Sequence, residues 1–123
     1  MHIRIIIATV ALLVAFAGLG RGAQAHAMLD HANPRVGSTV HKAPAEIDLW
    51  FTEAVEPAFS GIEVRDINAK RVDIGKAHID RTDHTMLRVP VKRLPAGTYN
   101  VHWHVLSVDS HRTQGDFLFY VAK

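Results

Sequence analysis

The stretch GTYNVHWHVLS, from Gly97 to Ser107, alternates between apolar and polar residues over most of its length. Every odd-numbered residue from Tyr99 to Val105 is apolar, and Asn100, His102 and His104 stand between them. Side chains point to opposite faces along a β-strand, so this pattern predicts a strand with one face in the core. His102 and His104 would then share the other face, where a pair of solvated histidines is the ordinary interpretation.

The same two-residue alternation recurs before and after this stretch, and short turn signals such as NPRVGS and RLPAG separate the segments. Pro90 lies near the end of one segment and predicts an edge position for that strand, because proline lacks a backbone donor. Repeated short strands at this spacing predict an antiparallel β-sandwich or small barrel of about seven strands. The predicted strands are Glu46–Glu53, Gly61–Ile67, Thr85–Val91, Gly97–Ser107 and Gly115–Ala122.

The first 25 residues are predicted to be a secretory signal rather than part of this domain. Arg4 provides a positive start, an apolar run extends from Ile5 to Gly20, and Ala23-Gln24-Ala25 fits the small-x-small cleavage pattern. A retained membrane anchor is the alternative, but the run is shorter than the ~20 residues that span a bilayer. Cleavage after Ala25 would leave residues 26–123 as one exported domain.

Charge and cysteine content exclude several classes of function. The chain has 14 Lys and Arg and 12 Asp and Glu. Arg4 and Arg21 precede residue 26, so the charges of residues 26–123 balance, and no basic run indicates nucleic-acid binding. Cysteine is absent, which excludes disulfides and thiolate ligands. Histidine is abundant instead, with nine in the chain, and this excess suggests metal binding.

His26 would become the first residue after cleavage. Its α-amine, with a pKa near ~7.7, and its imidazole, with a pKa near ~6.5, could then both donate to one metal ion. The alternative is that a histidine stands at this position by chance. A second candidate is the stretch SVDSHRTQG, in which Asp109 and His111 are two residues apart. If the strand stays extended there, the two side chains share one face with Cβ atoms ~6–7 Å apart. An ordinary polar turn capped by aspartate is the alternative.

Together these residues offer an amine, two imidazoles and a carboxylate. Mixed nitrogen and oxygen donors in a tetragonal arrangement favour Cu(II), although Zn(II) could use the same atoms in a tetrahedral site. Soft ligands for Cu(I) are scarce, because Met28 and Met86 are the only methionines after residue 25. His78 and His84 flank the stretch IDRTD. Two interpretations remain for this stretch, a second weak metal site and a solvated polar loop.

The chain resembles the CopC family of periplasmic copper-binding proteins. The resemblance rests on the initial H-A-x-L, the P-x-x-G-S turn, the L-x-F-x-E-x-V-E strand, the L-P-A-G-T-Y segment and the S-x-D-x-H-x-x-x-G loop. It covers His26–Glu56 and Arg93–Val121, with weaker similarity between them. It implies an all-β, Greek-key antiparallel β-sandwich or barrel of immunoglobulin-like type, and it implies that the protein is periplasmic.

The resemblance also implies a site. In this family Cu(II) is held by the amine and imidazole of the mature N-terminal histidine, which corresponds to His26, and by the aspartate and histidine that correspond to Asp109 and His111. Glu53 matches a glutamate that lies near the site in this family. His104 stands where members often have a cationic residue, and it is expected beside the ligands as well. The family commonly has glycine where Ser110 stands. A Met-rich loop for Cu(I), found in some members, is missing from this sequence, which indicates the branch that binds Cu(II) alone.

Three functions are open from the sequence. The first is a Cu(II) store or carrier for copper resistance or homeostasis, a monomer that exchanges copper with an inner-membrane transporter of the CopD type. The second is a copper oxidase or monooxygenase that uses the histidine brace, and the third is an interaction domain with incidental histidines. Asp109 favours the first, since a hard anionic ligand stabilises Cu(II) over Cu(I) and fills a position where oxygen would bind. The protein is therefore predicted not to be an enzyme.

Overall fold

The computed structural model describes residues 27–123, which form two four-stranded sheets around one apolar core. A single 3₁₀ turn, Pro57–Phe59, interrupts the strands of this region. Residues 27–123 contain no helix that is long and apolar enough to cross a membrane. The strands are β1 (Leu29–Asn33), β2 (Thr39–Val40), β3 (Glu46–Phe51), β4 (Gly61–Arg65), β5 (His78–Ile79), β6 (Met86–Pro90), β7 (Gly97–Leu106) and β8 (Arg112–Val121).

One sheet has the order β1-β3-β6-β5 and the other the order β2-β8-β7-β4. The predicted all-β, two-sheet fold is thus confirmed, with eight strands in the described region, two of which are only two residues long. One pairing differs from the prediction, because β2 runs parallel to β8 while the other strand pairs are antiparallel. The long hairpin of β7 and β8 holds the second sheet together and ends in the loop that carries Asp109 and His111.

The core lies between the sheets and takes side chains from both of them. The ring of Phe51 from the first sheet meets the ring of Trp103 from the second edge-on, with centroids 5.2 Å apart. Every apolar position that the alternation assigned to the core is buried, as expected for strands with one face against the other sheet. These positions are Ile47, Leu49, Phe51, Ile62, Val64, Leu87, Val89, Val91, Tyr99, Val101, Trp103, Val105, Phe117, Phe119 and Val121.

The predicted edge position of the Pro90 strand is wrong. β6 lies between β3 and β5, so it is an inner strand of its sheet. Proline is tolerated because the backbone nitrogen of the next residue, Val91, donates to Ala45 on the β3 side. The nitrogen of Pro90 therefore faces the other side, beyond the paired residues of β5, where the Pro90 carbonyl accepts from the backbone nitrogen of Ile74 at 2.8 Å. Proline thus affects only this short pairing and leaves the ladder between β3 and β6 intact.

Gly115 packs against the indole of Trp103, its partner across the β7–β8 hairpin. A Cβ atom at position 115 would lie 2.6 Å from Cζ2 of Trp103, well inside van der Waals contact. The indole is buried and also meets the ring of Phe51 edge-on, so it has little room to move. The absence of a side chain at position 115 leaves room for this ring beside β8.

Gly115→Ala should therefore lower the free energy of unfolding by about 1–3 kcal/mol through overpacking of the core. Urea unfolding followed by tryptophan fluorescence measures the effect. Gly97→Ala is the matched control, because a Cβ atom there has no neighbour closer than 3.9 Å. Equal stability of the two variants would mean that the Trp103 ring adapts to the extra methyl group.

Candidate metal centre

Asp109 and His111 lie in the tight loop that joins β7 to β8. The backbone nitrogen of Ser107 donates to the carbonyl of His111 at 2.9 Å, and that of Ser110 donates to the carbonyl of Ser107 at 2.9 Å. Ser110 has a φ of 73°, in the left-handed region that glycine adopts most easily. The strand therefore does not stay extended here, and the segment is a closed turn, which was the alternative that the sequence left open.

The turn nevertheless brings the two predicted ligands together. Nδ1 of His111 lies 3.3 Å from Oδ1 of Asp109. The side chains of Asp109 and His111 are 42% and 50% exposed, so both can reach a metal ion arriving from solvent. A closed turn and a pair of cis ligands are thus compatible here, because the left-handed residue between them turns both side chains toward the same place.

Ser107 supports this pair and is a residue that the sequence did not single out. It is 1% exposed, and its hydroxyl donates to Oδ1 of Asp109 and accepts from the backbone nitrogen of His111 at 3.2 Å. The Ser107 hydroxyl, with a smaller contribution from His111, holds the pKa of Asp109 below its usual range. Asp109 is therefore a carboxylate at neutral pH and available as an anionic ligand. The S-x-D-x-H pattern, which places a serine two residues before the aspartate, is the sequence signal that could have identified Ser107.

The chain enters the domain directly beside this loop. Ala27 is fully buried, and the hydroxyl of Thr113, two residues after His111, donates to the Ala27 carbonyl at 2.6 Å. Met28, the next residue, is held to Thr52 by two hydrogen bonds. Its backbone nitrogen donates to Oγ1 of Thr52 at 3.0 Å, and its carbonyl accepts from the Thr52 nitrogen at 2.9 Å. His26, the third predicted ligand, lies outside the described residues.

Glu53 follows β3 and is half-buried between these two parts of the site. The residue before it, Thr52, is hydrogen-bonded to Met28. The residue after it, Ala54, accepts a hydrogen bond from the backbone nitrogen of Val108 at 3.1 Å. The backbone of Glu53 is thus held between the chain entry and the loop that carries Asp109. Its predicted place beside the ligands stays a prediction.

His104 projects from the outer face of β7, as the alternation predicted, and its imidazole lies over Gly61 on β4. Its ring centroid is 6.4 Å from that of His102. The supporting role predicted for His104 beside the ligands stays a prediction. In residues 27–123, no three His, Asp or Glu side chains are grouped closely enough to hold a metal ion without a further donor.

His78 and His84 flank a loop whose polar groups satisfy one another. The carboxylate of Asp80 accepts hydrogen bonds from the hydroxyl of Thr82 at 2.7 Å and from the guanidinium of Arg88 at 3.1 Å. Asp83 likewise accepts from the hydroxyl and the backbone nitrogen of Thr85. These bonds favour the solvated polar loop over a metal site at this place.

Comparison with known proteins agrees with this architecture. A family model described as the CopC domain matches residues 29–122. The chain is 40% identical over 98 residues to protein YobA of Escherichia coli K12, with 79% of each chain covered. It is 34% identical over 121 residues to copper resistance protein C of Xanthomonas campestris pv. juglandis, with 94% of each covered.

Two solved structures are similar in fold. CopC from Methylosinus trichosporium OB3b superposes with a TM-score of 0.74 at 32% identity, covering 79% of this chain and 94% of that one. PcoC, a methionine-rich copper resistance protein from Escherichia coli, gives a TM-score of 0.68 at 31% identity, covering 79% of this chain and 99% of that one. Both similarities extend over the two-sheet domain that carries the loop of Asp109 and His111.

Proposed function

The chain belongs to the CopC family, and from that premise we propose that it is a copper-binding protein of copper resistance or homeostasis that holds Cu(II). Four donors bind the ion: the α-amine and imidazole of His26, the carboxylate of Asp109 and the imidazole of His111. Glu53 supports these ligands from beside the site. The protein stores Cu(II) or passes it on, and it is not an enzyme.

The hydrogen bond from Thr113 to Ala27 is the observation that carries this proposal. It holds Ala27 against Thr113, which lies two residues after His111 in the chain. His26 is joined directly to Ala27, and consecutive Cα atoms are ~3.8 Å apart. This connection supports the proposal that His26 shares a metal ion with Asp109 and His111.

The chemistry of the donor set favours Cu(II). Imidazole and amine nitrogens with one carboxylate suit tetragonal Cu(II), which is also the most strongly bound of the divalent first-row metals. The lowered pKa of Asp109 keeps its negative charge available at neutral pH. No cysteine is present to stabilise Cu(I).

Export completes the site in this account. Residues 1–25 direct the chain across the inner membrane into the periplasm and are removed after Ala25. Before cleavage His26 has an amide nitrogen, which is a poor ligand, and after cleavage it has a free amine. Tight Cu(II) binding is thereby confined to the periplasm, where the protein is a monomer and exchanges copper with an inner-membrane transporter of the CopD type.

The metal ligands are tested by electron paramagnetic resonance of the protein loaded with one equivalent of Cu(II). We expect a tetragonal spectrum with nitrogen hyperfine structure. Asp109→Ala should change the copper hyperfine coupling, because it replaces an anionic oxygen donor by water. A spectrum unaffected by this substitution would contradict the proposed ligand set.

The alternative enzymatic function makes a different prediction. With Asp109 in the coordination sphere, reduction to Cu(I) is disfavoured and oxygen has no open position. The copper-loaded protein should therefore consume oxygen in the presence of ascorbate no faster than the copper-free protein does. An oxygen electrode measures the rate, and sustained turnover by the loaded protein would favour the oxidase instead.

A further inference from the structure

His102 and His104 form a pair of imidazoles on the outer face of β7, away from the loop of Asp109. Residues two apart on a strand point to the same side, and the two ring centroids are 6.4 Å apart. Metal–nitrogen bonds of about 2.0 Å put two imidazole centroids on one ion roughly 4.5–6 Å apart. The side chain of His104 is exposed and that of His102 is 31% exposed, so rotation about their side-chain bonds can bring both rings to a shared ion.

The orientation of His102 is set by its neighbour on β8. Nδ1–H of His102 donates to Oδ1 of Asp116 at 3.1 Å, and Nδ2 of Asn100 donates to the same oxygen at 3.2 Å. A carboxylate on Nδ1 leaves the lone pair of His102 on Nε2, which is the arrangement that orients histidines toward metal ions.

His104 lies over Gly61, its partner on β4, and its imidazole fills the space that a side chain at position 61 would take. A Cβ atom at position 61 would lie 2.6 Å from Cε1 of the imidazole, so any other residue would displace the ring. Glu63, opposite His102 on β4, is engaged elsewhere, with its carboxylate 3.2 Å from Arg65 and 3.7 Å from Arg71.

We propose that His102 and His104 form a second, weaker Cu(II) site in which both bind through imidazole nitrogen and Asp116 is a positioning residue. Water fills the remaining coordination positions, so the ion exchanges readily. Imidazole suits several divalent metals, and among them Cu(II) binds most strongly. The protein then takes up two copper ions, one at the site of Asp109 and His111 and one on the outer face of β7.

The experiment begins with the full chain carrying His26→Ala, Asp109→Ala and His111→Ala, which removes the three ligands of the proposed main site. Cu(II) is titrated as a simple salt against a coloured competing chelator, and circular dichroism verifies the fold. We expect one Cu(II) per chain, with nitrogen hyperfine structure from two imidazoles. Adding His102→Ala or His104→Ala should weaken binding about 100-fold. Each substitution removes one of the two imidazoles that bind the ion together within one molecule.

His41→Ala with His78→Ala is the matched control, since it removes two exposed imidazoles that do not share a strand. It should leave the affinity unchanged. The proposal is overturned if the starting variant binds no Cu(II), or if loss of His102 and His104 changes the affinity no more than this control. The result does not depend on the proposed function, because the ligands of the main site are absent throughout.

The role of Asp116 is tested separately. Asp116→Ala should weaken this site about tenfold, as loss of an orienting partner does in metal sites. Asp116→Asn keeps an oxygen that can accept from Nδ1–H and should restore most of the affinity. Nitrogen NMR of the copper-free protein should show the proton of His102 on Nδ1 in the Asn variant and a mixture of tautomers in the Ala variant. The same tautomer in both variants would remove Asp116 from the account.

Discussion

Replacing His111 with alanine should weaken binding of the first Cu(II) equivalent by about 100-fold or more, because one of four donors held within the same molecule is lost. The loop itself should survive, since its turn is closed by backbone bonds and by Ser107 rather than by the imidazole. Competition against a chelator of known affinity measures the change. The affinity should fall without a change in the free energy of unfolding of the copper-free protein.

His41→Ala is the matched control for this prediction, because His41 is exposed in the turn between β2 and β3, outside the site. It should bind the first equivalent as tightly as the native protein does. If the two substitutions had equal effects, the loop of Asp109 and His111 would not be the copper site.

Phe119→Ala should lower the free energy of unfolding by about 3–5 kcal/mol, as truncation of a buried aromatic ring does. Phe119 is fully buried, and its ring stacks on Tyr99 at a centroid distance of 5.4 Å. Because β8 also carries Thr113, which holds Ala27, unfolding of this variant should also abolish copper binding. Chemical denaturation followed by circular dichroism measures the loss of unfolding free energy.

Leu118→Ala is the matched control on the same strand. Its side chain points to the outer face and is 41% exposed, so truncation should change the free energy of unfolding by less than about 1 kcal/mol. A loss as large as that of Phe119→Ala would mean that the outer face of β8 is covered in solution.

The alternation of apolar residues located the core of this protein correctly because burial in a two-sheet fold follows the same two-residue period. It could not show which strands become neighbours. Pro90 was expected at an edge, but β5, a strand of two residues with no alternation of its own, covers that side of β6. The parallel pairing of β2 with β8 was missed for the same reason, since two residues carry no pattern.

The candidate site was only partly predictable. Asp109 and His111 were identified by spacing and by resemblance, but the sequence left open whether their backbone is extended, and it is a turn with Ser110 in the left-handed region. That turn depends on Ser107, whose buried hydroxyl organises both neighbours through contacts that no periodicity reveals.

The partners of the loop come from distant parts of the chain. The backbone nitrogen of Val108 donates a hydrogen bond to the carbonyl of Ala54, and the hydroxyl of Thr113 donates one to the carbonyl of Ala27. These contacts follow from the packing of the two sheets, which the sequence alone did not specify. Likewise, the shared face of His102 and His104 was predicted, whereas the orienting bond to Asp116 required the register of β7 with β8.

The central claim is that the amine of His26 is a copper ligand that exists only after cleavage. The most direct test compares Cu(II) affinity of protein that begins at His26, verified by mass spectrometry, with that of protein that retains Gly22–Ala25 ahead of it. Both forms contain every side chain of the site, and they differ in the amine of residue 26. The retained residues should weaken binding of the first equivalent by about 100-fold or more. Equal affinities of the two forms would contradict it.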